Sequence, residues 1–341
     1  MAIGYKKAIL WEGESGKVRC NLCNHRCLIA DGHVGLCGVR KNIDGTLYSL
    51  TYDKLCAAHI DPIEKKPLYH FHPGSTSYSI ATQGCNFRCD FCQNWQISQQ
   101  PAEYGTIEGS CVRPEQIVQM AVNAGCKSIS YTYTEPTIFM ELAADCARLA
   151  KKNGLANVFV SNGYMTRQAI DLASEWLDAI NVDLKAFTED YYRRLCKARL
   201  QPVLDNIRYI ARNTKIWIEV TTLLVPGQND RPDELKALAD WLASDVGPYV
   251  PWHISRFYPQ YKLTDASPTP LQILEKAYQI GKDAGLHYVY VGNVPGADQE
   301  NTYCHHCGQL LIGRTGYHIY TYRIADGSCT ACQTRIPGVG L

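Results

Sequence analysis

Residues 81–95 read Ala81-Thr-Gln-Gly-Cys85-Asn-Phe-Arg-Cys89-Asp-Phe-Cys92-Gln-Asn-Trp95 and follow a run with strand character, 78–82. They contain the spacing Cys85-x3-Cys89-x2-Cys92, which we call the central triplet. Three thiolates from one loop can hold three irons of a [4Fe–4S] cubane and leave the fourth iron without a cysteine from this motif. Such an iron is open to an amino-acid chelate, much as a catalytic zinc ion keeps one position open. The alternative is a zinc site that recruits a ligand from elsewhere in the chain.

Cysteine is the outlying residue type, with 16 cysteines in 341 residues. Eleven fall into three tight groups, a spacing that suits convergence on a metal better than disulfides. The isolated ones are expected to be small buried hydrophobic residues: Cys56, Cys111, Cys126, Cys146 and Cys196. Without a signal-peptide pattern or a run of 18 apolar residues, we expect a reducing, cytoplasmic compartment and no membrane span. The net charge of +1 argues against a broad nucleic-acid surface.

The middle of the chain alternates between strand-like and helix-like segments. Strand character is found at 78–82, 128–132, 157–161, 179–183, 216–223 and 252–256, with 287–291 a possible seventh. Helical patterning with start and stop signals occupies 114–124, 138–152, the segment opened by Asp230 and 269–284. This alternation predicts parallel βαβ units, and both a doubly wound open sheet and a partial barrel satisfy it.

Four cysteines near the end of the chain form two Cys-x2-Cys pairs, which we call the C-terminal quartet: Cys304, Cys307, Cys329 and Cys332. Two such knuckles supply four thiolates in a tetrahedral array, as in rubredoxin-like and zinc-ribbon sites. Zinc is the predicted metal and iron the alternative. Since all four positions are filled by protein, we expect a structural role.

Four further cysteines near the start form the N-terminal quartet: Cys20, Cys23, Cys27 and Cys37. Four thiolates would close either a zinc site or an auxiliary [4Fe–4S] cluster. The tight spacing of the first three is typical of clusters, whereas zinc sites prefer two separated knuckles. The sequence leaves both metals open, with His25 and His33 as spare ligand candidates.

The central triplet, with an aromatic residue before its last cysteine and a predicted strand before its first, resembles the signature of the radical SAM superfamily. The resemblance covers about residues 76–295 and implies a partial (β/α)6 barrel. It further implies that the open iron binds the amino and carboxylate groups of S-adenosylmethionine (SAM). One electron, from an external donor of flavodoxin or ferredoxin type, would cleave SAM to methionine and a 5′-deoxyadenosyl radical. That radical would abstract hydrogen from a substrate.

The resemblance also implies contacts to SAM within the first half of the barrel. Phe91 occupies the aromatic position that packs near the adenine. Glu135 stands where the superfamily often has the glutamate of Gly-Gly-Glu-Pro, which meets the methionine amino group. The two glycines are replaced by Tyr133 and Thr134. Ser161 and Asn162 resemble the Thr-Asn-Gly segment of pyruvate formate-lyase activating enzymes. Val160 replaces the aspartate that serves a monovalent cation in those activators, so we predict no such cation.

Three further residues match these activators in the second half of the barrel. Asp183-Leu-Lys185 resembles their Asp-x-Lys segment. The Lys185 ammonium, predicted to point into the barrel, would need a partner such as a substrate carboxylate, and an internal ion pair with Asp183 is the alternative. His253, on a predicted strand, matches a histidine that contacts the nucleoside. We place these side chains at strand ends, where barrels build their active sites.

The layout of the whole chain resembles the radical SAM component of the AmmeMemoRadiSam system. This resemblance rests on the Cys-Asn-Leu-Cys opening, residues 61–70, the central triplet, residues 131–136 and the Cys-rich terminal segment. It implies AMME-type and Memo-type protein partners. We expect a cysteine-rich metal-binding region at 1–75, the barrel at 76–298 and a rubredoxin-like or zinc-ribbon module at 299–341.

Three functions are compatible with these patterns. The first is a radical SAM enzyme acting with those partners on an aromatic or protein-borne substrate. The second is a glycyl-radical-enzyme activase, against which the changes at Tyr133, Thr134 and Val160 and the two flanking quartets count. The third is a non-enzymatic zinc-ribbon binding protein, against which the intact central triplet counts.

Overall fold

The structure, a computed structural model, describes residues 5–294 and 296–341. The chain divides into two compact units. The first comprises residues up to Asp61 together with Thr76–Asp178 and Cys196–Ala198, and the second comprises Pro62–Ser75, Ala179–Leu195 and Arg199–Leu341. No helix among the described residues combines the length and the apolar character that crossing a membrane requires.

The described residues of the first unit form these strands: β1 (Lys6–Lys7), β2 (Trp11–Glu14), β3 (Lys17–Cys20), β4 (Leu28–Ile29), β5 (Arg40–Ile43), β6 (Thr46–Ser49), β7 (Lys54–Pro62), β8 (Thr76–Thr82), β9 (Ser110–Cys111), β10 (Ser128–Tyr131) and β11 (Ala156–Ser161). Its helices are α1 (Trp95–Ser98), α2 (Gln100–Tyr104), α3 (Pro114–Asn123), α4 (Met140–Lys152) and α5 (Arg167–Ala173), with a 3-10 turn at Pro136–Phe139.

Strands β8, β10 and β11 are parallel neighbours in the order β11-β10-β8, followed by β7 and β9. Their carboxyl ends therefore meet at one edge, which is where parallel sheets with crossover helices place functional loops. Helix α4 covers β10 and β11 through small buried residues that allow close approach: Ala143, Ala147 and Ala150. Two small antiparallel sheets, β1-β6-β5 and β2-β3-β4, precede these parallel strands in the chain, with Cys20 at the end of β3, Cys23 and Cys27 between β3 and β4, and Cys37 between β4 and β5.

The second unit contains the strands β12 (Ala179–Asp183), β13 (Trp217–Leu224), β14 (Trp252–Arg256), β15 (Val289–Gly292), β16 (Thr302–Tyr303), β17 (Leu310–Thr315), β18 (His318–Tyr322), β19 (Ile324–Ala325) and β20 (Ser328–Cys329). Its helices are α6 (Glu189–Tyr191), α7 (Gln201–Asn213), α8 (Pro232–Trp241) and α9 (Leu271–Asp283). Short π-helical turns follow α6 and α8 at Tyr192–Cys196 and Leu242–Val246, and 3-10 turns lie at Ile63–Lys65 and Asp298–Glu300.

Strands β12 to β15 are parallel and neighbour one another in chain order. Helix α9 packs directly on this sheet, because a Cβ added at Gly281 would lie only 3.0 Å from the Trp252 ring. The predicted alternation of parallel strands and helices is therefore confirmed within each unit.

The isolated cysteines do not all behave as expected. Cys126, Cys146 and Cys196 are buried, as predicted. Cys56 is half-buried, and the prediction is wrong for Cys111, which is exposed. Cys111 lies in the two-residue edge strand β9, where its thiol is 3.0 Å from an Asp53 carboxylate oxygen. The three-part division at residues 75 and 298 stays a prediction.

Candidate functional site

The central triplet lies in the loop between β8 and α1. Gly84, the loop residue directly before Cys85, has a φ of +103°. A Cβ at this position would lie 2.7 Å from Val39 Cγ1 and 3.1 Å from the carbonyl oxygen of Cys37. Glycine is therefore required by both conformation and space. Cys89 is buried, and Cys85 and Cys92 are half-buried.

Local donors already point at the sulfurs of this loop. The backbone amide of Phe87 donates to Cys85 Sγ at 3.4 Å, and Ser98 Oγ lies 3.2 Å from Cys92 Sγ. Burial raises the pKa of the Cys85 thiol, and the Glu135 carboxylate raises it further. Thiolates can persist here only beside a strong positive charge, which the irons of a cluster would supply. The loop therefore fits an iron–sulfur cluster.

Glu135 follows β10 and is buried, with 2% of its surface exposed. Its Oε1 accepts hydrogen bonds from the Thr137 amide (3.1 Å), the Thr137 hydroxyl (2.5 Å) and the Ser161 hydroxyl (2.8 Å), and its Oε2 accepts one from the Asn162 amide (2.8 Å). Burial raises the pKa of this carboxyl, although these hydrogen bonds act against the rise. Within the described part of the chain, no cation pairs with it.

Asparagine side chains join the three strand ends. Asn162, just after β11, donates from Nδ2 to Asn86 Oδ1 at 2.7 Å, and Asn86 follows Cys85 directly. Asn94, after the triplet, donates to the Tyr133 carbonyl at 2.8 Å. Sequence reasoning missed both Asn86 and Asn94, although each lies within or next to the cysteine motif. The structure thus brings Glu135, Ser161 and Asn162 together with the central triplet.

The residues that replace the two glycines keep part of the glycine geometry. Tyr133 has a φ of +62°, in the left-handed region that glycine usually fills, and its hydroxyl donates to Asp61. The Thr134 hydroxyl donates to the Thr82 carbonyl at 2.8 Å. Phe91 is buried in the loop, with 3% exposed, and its contact with an adenine stays a prediction.

Asp183 and Lys185 lie at the carboxyl end of β12 in the second unit. Lys185 Nζ is 3.0 Å from Asp183 Oδ2, which is the internal ion pair named as the alternative for this lysine. The lysine side chain is 14% exposed and the aspartate 37% exposed. A substrate contact for Lys185 stays a prediction.

His253 lies near the amino end of β14, not at the carboxyl end where we placed it. Its Nε2 is 2.6 Å from Glu219 Oε2, a fully buried carboxylate. Burial alone would raise the pKa of Glu219, but His253, His70 and the Trp217 indole hold it below its usual range. The buried carboxylate accounts for a histidine here, and the nucleoside contact stays a prediction.

The C-terminal quartet converges on one point. The Sγ atoms of Cys304 and Cys332 are 3.6 Å apart, those of Cys307 and Cys329 are 3.8 Å apart, and all four lie within 4.8 Å of one another. Tetrahedral zinc with bonds of 2.3 Å needs sulfurs about 3.8 Å apart. Hydrogen bonds from Thr334 lower the pKa of Cys332, whereas at Cys307 the neighbouring thiols outweigh the Gln309 amide and raise the pKa. The quartet therefore fits a single tetrahedral metal ion.

Comparison with known families decides the class of the protein. The family model of the Radical SAM superfamily matches residues 79–242, which include the central triplet, Glu135, Ser161, Asn162 and Lys185. The chain belongs to the radical SAM superfamily. The protein is therefore an enzyme, and enzymes of this superfamily use a [4Fe–4S] cluster, SAM and an electron donor. The expected fold class, a partial barrel, is confirmed.

Two relatives and one solved structure illustrate the range of similarity. An uncharacterized protein of Methanocaldococcus jannaschii is 43% identical over 97% of this chain and 98% of its own length. The pyruvate formate-lyase 1-activating enzyme of Escherichia coli strain K12 is 25% identical over 60% of this chain and 87% of its own length. The crystal structure of a radical SAM methyltransferase from Sphaerobacter thermophilus has a TM-score of 0.51 at 16% identity, over 67% of this chain and 71% of that one.

Proposed function

We propose that Cys85, Cys89 and Cys92 hold three irons of a [4Fe–4S] cluster and that SAM binds at the fourth iron. The observation that carries this proposal is the buried Glu135 carboxylate. Its Oε1 accepts three hydrogen bonds and its Oε2 one, so Oε2 keeps acceptor capacity. An ammonium group is the partner that a buried, cation-free carboxylate requires, and the methionine part of SAM carries one.

The proposed reaction is the reductive cleavage of SAM, with SAM oriented by Glu135 and its hydrogen-bond partners. The bound cluster would supply one electron to the sulfonium, and the carbon–sulfur bond would break to give methionine and a 5′-deoxyadenosyl radical. This radical would take a hydrogen atom from the substrate. Ser161 and Asn162 keep Glu135 fixed through hydrogen bonds of 2.8 Å, so the carboxylate is oriented before SAM arrives.

Lys185, His253 and Phe91 are the further candidate contacts in this proposal. Lys185 would exchange its Asp183 partner for a substrate carboxylate, because that carboxylate would accept from the ammonium as Asp183 does. His253 would contact the nucleoside. Phe91 would pack on the adenine. A one-electron donor of flavodoxin or ferredoxin type would reduce the cluster.

The substrate class and partners form the finer part of the proposal. AMME-type and Memo-type proteins are inferred as partners from the layout of motifs along the chain. An aromatic or protein-borne substrate is inferred from those partners. The requirement for reduced thiols in three groups supports a cytoplasmic location, and zinc is our proposed metal for the C-terminal quartet.

Anaerobic reconstitution with iron, sulfide and a strong reductant tests the reaction directly. We expect 5′-deoxyadenosine to form from SAM, and Cys89→Ala to abolish it because the cluster loses a ligand. Cys126→Ala, a change at a buried cysteine outside the three groups, is the matched control and should retain cleavage. A reconstituted protein with a full complement of iron that leaves SAM intact would refute the proposal.

A glycyl-radical-enzyme activase is the second candidate, favoured by the similarity to the Escherichia coli activating enzyme. Such an activase would abstract hydrogen from a backbone glycine of another protein. Incubation with candidate glycyl radical enzymes and SAM, followed by electron paramagnetic resonance (EPR), separates the two functions. A doublet glycyl signal would establish the activase, and its absence with continued SAM cleavage would favour the first function.

A further inference from the structure

The four thiols of the N-terminal quartet surround one cavity in the first unit. This cavity is lined by Cys20, Cys23, Cys27 and Cys37 together with His25, Arg40 and Asn86. All four cysteines contribute to the wall of this one cavity. Backbone amides of His25, Leu36 and Val39 donate to the sulfurs of Cys23, Cys27 and Cys37. The four sulfurs are thus available to a common centre in this cavity.

Two buried donors at this cavity have no acceptor in the part of the chain that the structure describes. Arg40 is 2% exposed and Asn86 is 3% exposed, and both line the cavity. Arg40 donates through its terminal nitrogens to Glu141 and to the Ile9 carbonyl, but its Nε has no partner among the described residues. The Nδ2 of Asn86 is likewise without a partner among them. Buried polar groups are normally satisfied, so these donors indicate an acceptor inside the cavity.

The distances between sulfur atoms distinguish a site for an iron–sulfur cluster from a site for a single metal ion. In the C-terminal quartet the paired sulfurs are 3.6 and 3.8 Å apart, as one tetrahedral ion requires. Among the described residues, that quartet is the one group of three or more candidate ligands within 4.8 Å. Within the described ranges, neither the N-terminal quartet nor the central triplet brings three sulfurs within that distance of one another.

We propose that Cys20, Cys23, Cys27 and Cys37 bind a second [4Fe–4S] cluster, with Arg40 Nε and Asn86 Nδ2 donating to its sulfurs. Four thiolates fill every iron position, so this cluster has no open iron for SAM. Hydrogen bonds to the sulfurs of such clusters set their reduction potential, which gives the two buried donors a function.

The second cluster would lie directly against the loop of the first. A Cβ at Gly84, the residue before Cys85, would be 3.1 Å from the carbonyl oxygen of Cys37. Arg88 connects the same two segments, since it donates to the Cys85 carbonyl at 3.1 Å and to the Leu36 carbonyl. Asn86 lies between the two sites, where it lines the cavity and accepts from Asn162.

The test uses the full chain, reconstituted anaerobically, with the central triplet removed by Cys85→Ala, Cys89→Ala and Cys92→Ala. We expect this variant to retain about four irons and four acid-labile sulfides per chain, as one cubane contains. Its reduced EPR signal should not change on addition of SAM. Because this variant lacks the proposed SAM site, the result does not depend on whether the enzyme cleaves SAM.

The matched variant carries Cys23→Ser and Cys27→Ser with the central triplet intact. It should lose about half of the cluster iron and sulfide and keep a cluster signal that SAM perturbs. Metal retained by the C-terminal quartet is the control for folding of this variant. If the variant does not fold, the triplet variant alone tests the proposal. A triplet variant that holds two zinc ions per chain and no labile sulfide would overturn the proposal.

Discussion

The carboxylate of Glu135 is costly to bury, and its surroundings show what offsets that cost. Desolvation raises its pKa, and four hydrogen bonds from Thr137, Ser161 and Asn162 favour the charged form. Hydrogen bonds to a charged group are each worth about 1.5–3 kcal/mol, which offsets the cost of burying the carboxylate. They do not supply an opposite charge. A bound ammonium would complete the site and lower the pKa of Glu135.

The change Glu135→Gln removes the charge while keeping the size of the side chain. Because one charge-assisted hydrogen bond is worth about 1.5–3 kcal/mol, we expect the KM for SAM to rise roughly ten- to a hundredfold. SAM cleavage measured over a range of SAM concentrations gives this value. Glu275→Gln, on the exposed face of α9, is the control and should leave KM unchanged. An unaltered KM in Glu135→Gln would show that Glu135 does not meet the ammonium.

At the scale of elements, the parallel strands and their helices were predictable from sequence. Buried runs such as 179–183 and 252–256 were found with their exact bounds, because apolar strands between helical segments have a strong pattern. The short strands β1 to β6 were not found, since two to four residues carry too little periodicity. The position of His253 was also missed. Its role as the partner of Glu219 depends on a contact between two strands, which one sequence does not reveal.

The five short strands β16 to β20 depend on the C-terminal quartet. They bury a few hydrophobic residues around two of the ligands, Cys304 and Cys329, including Leu311, Ile312 and Ile336. Segments of two to six residues with so small a core gain most of their stability from a metal ion. The quartet is therefore predicted to hold this part of the chain together without taking part in the reaction.

For Cys304→Ala we expect loss of the bound metal and a fall in the melting temperature of about 10 °C, since a structural zinc ion contributes many kcal/mol of folding free energy. SAM cleavage by the folded variant should persist. Metal analysis and calorimetry measure the two effects, with Cys126→Ala as the control. A folded Cys304→Ala protein that lost cleavage as fully as Cys89→Ala would contradict the structural role.

At the scale of the whole molecule, the second unit joins segments that are far apart in sequence. The buried Glu219 accepts from the amides of Tyr69 and His70 at 3.0 and 2.8 Å. The His70 ring then bridges the Pro337 carbonyl, which must accept from Nδ1 at 2.7 Å, and the Tyr290 hydroxyl, which donates to Nε2 at 2.6 Å. Both ring nitrogens are satisfied by the neutral form, so protonation would remove one hydrogen bond.

This network makes stability depend on pH in a specific window. Burial lowers the pKa of His70 to about 4, against about 6.5 in an unfolded chain. The unfolded chain therefore takes up a proton on acidification before the folded chain does. The contribution of His70 to the free energy of unfolding is complete above pH 6.5 and is lost as the pH falls towards 4. Between pH 7 and pH 5 the loss should be about 2 kcal/mol.

The variant His70→Gln tests this assignment because glutamine does not titrate. Urea unfolding followed by circular dichroism at pH 7 and pH 5 gives the free energy of unfolding at each pH. We expect the wild-type protein to lose about 2 kcal/mol more than His70→Gln on going to pH 5. The exposed His318 lies in the same unit, and His318→Gln should keep the wild-type dependence. Parallel losses in wild type and His70→Gln would show that the histidine does not link this network to pH.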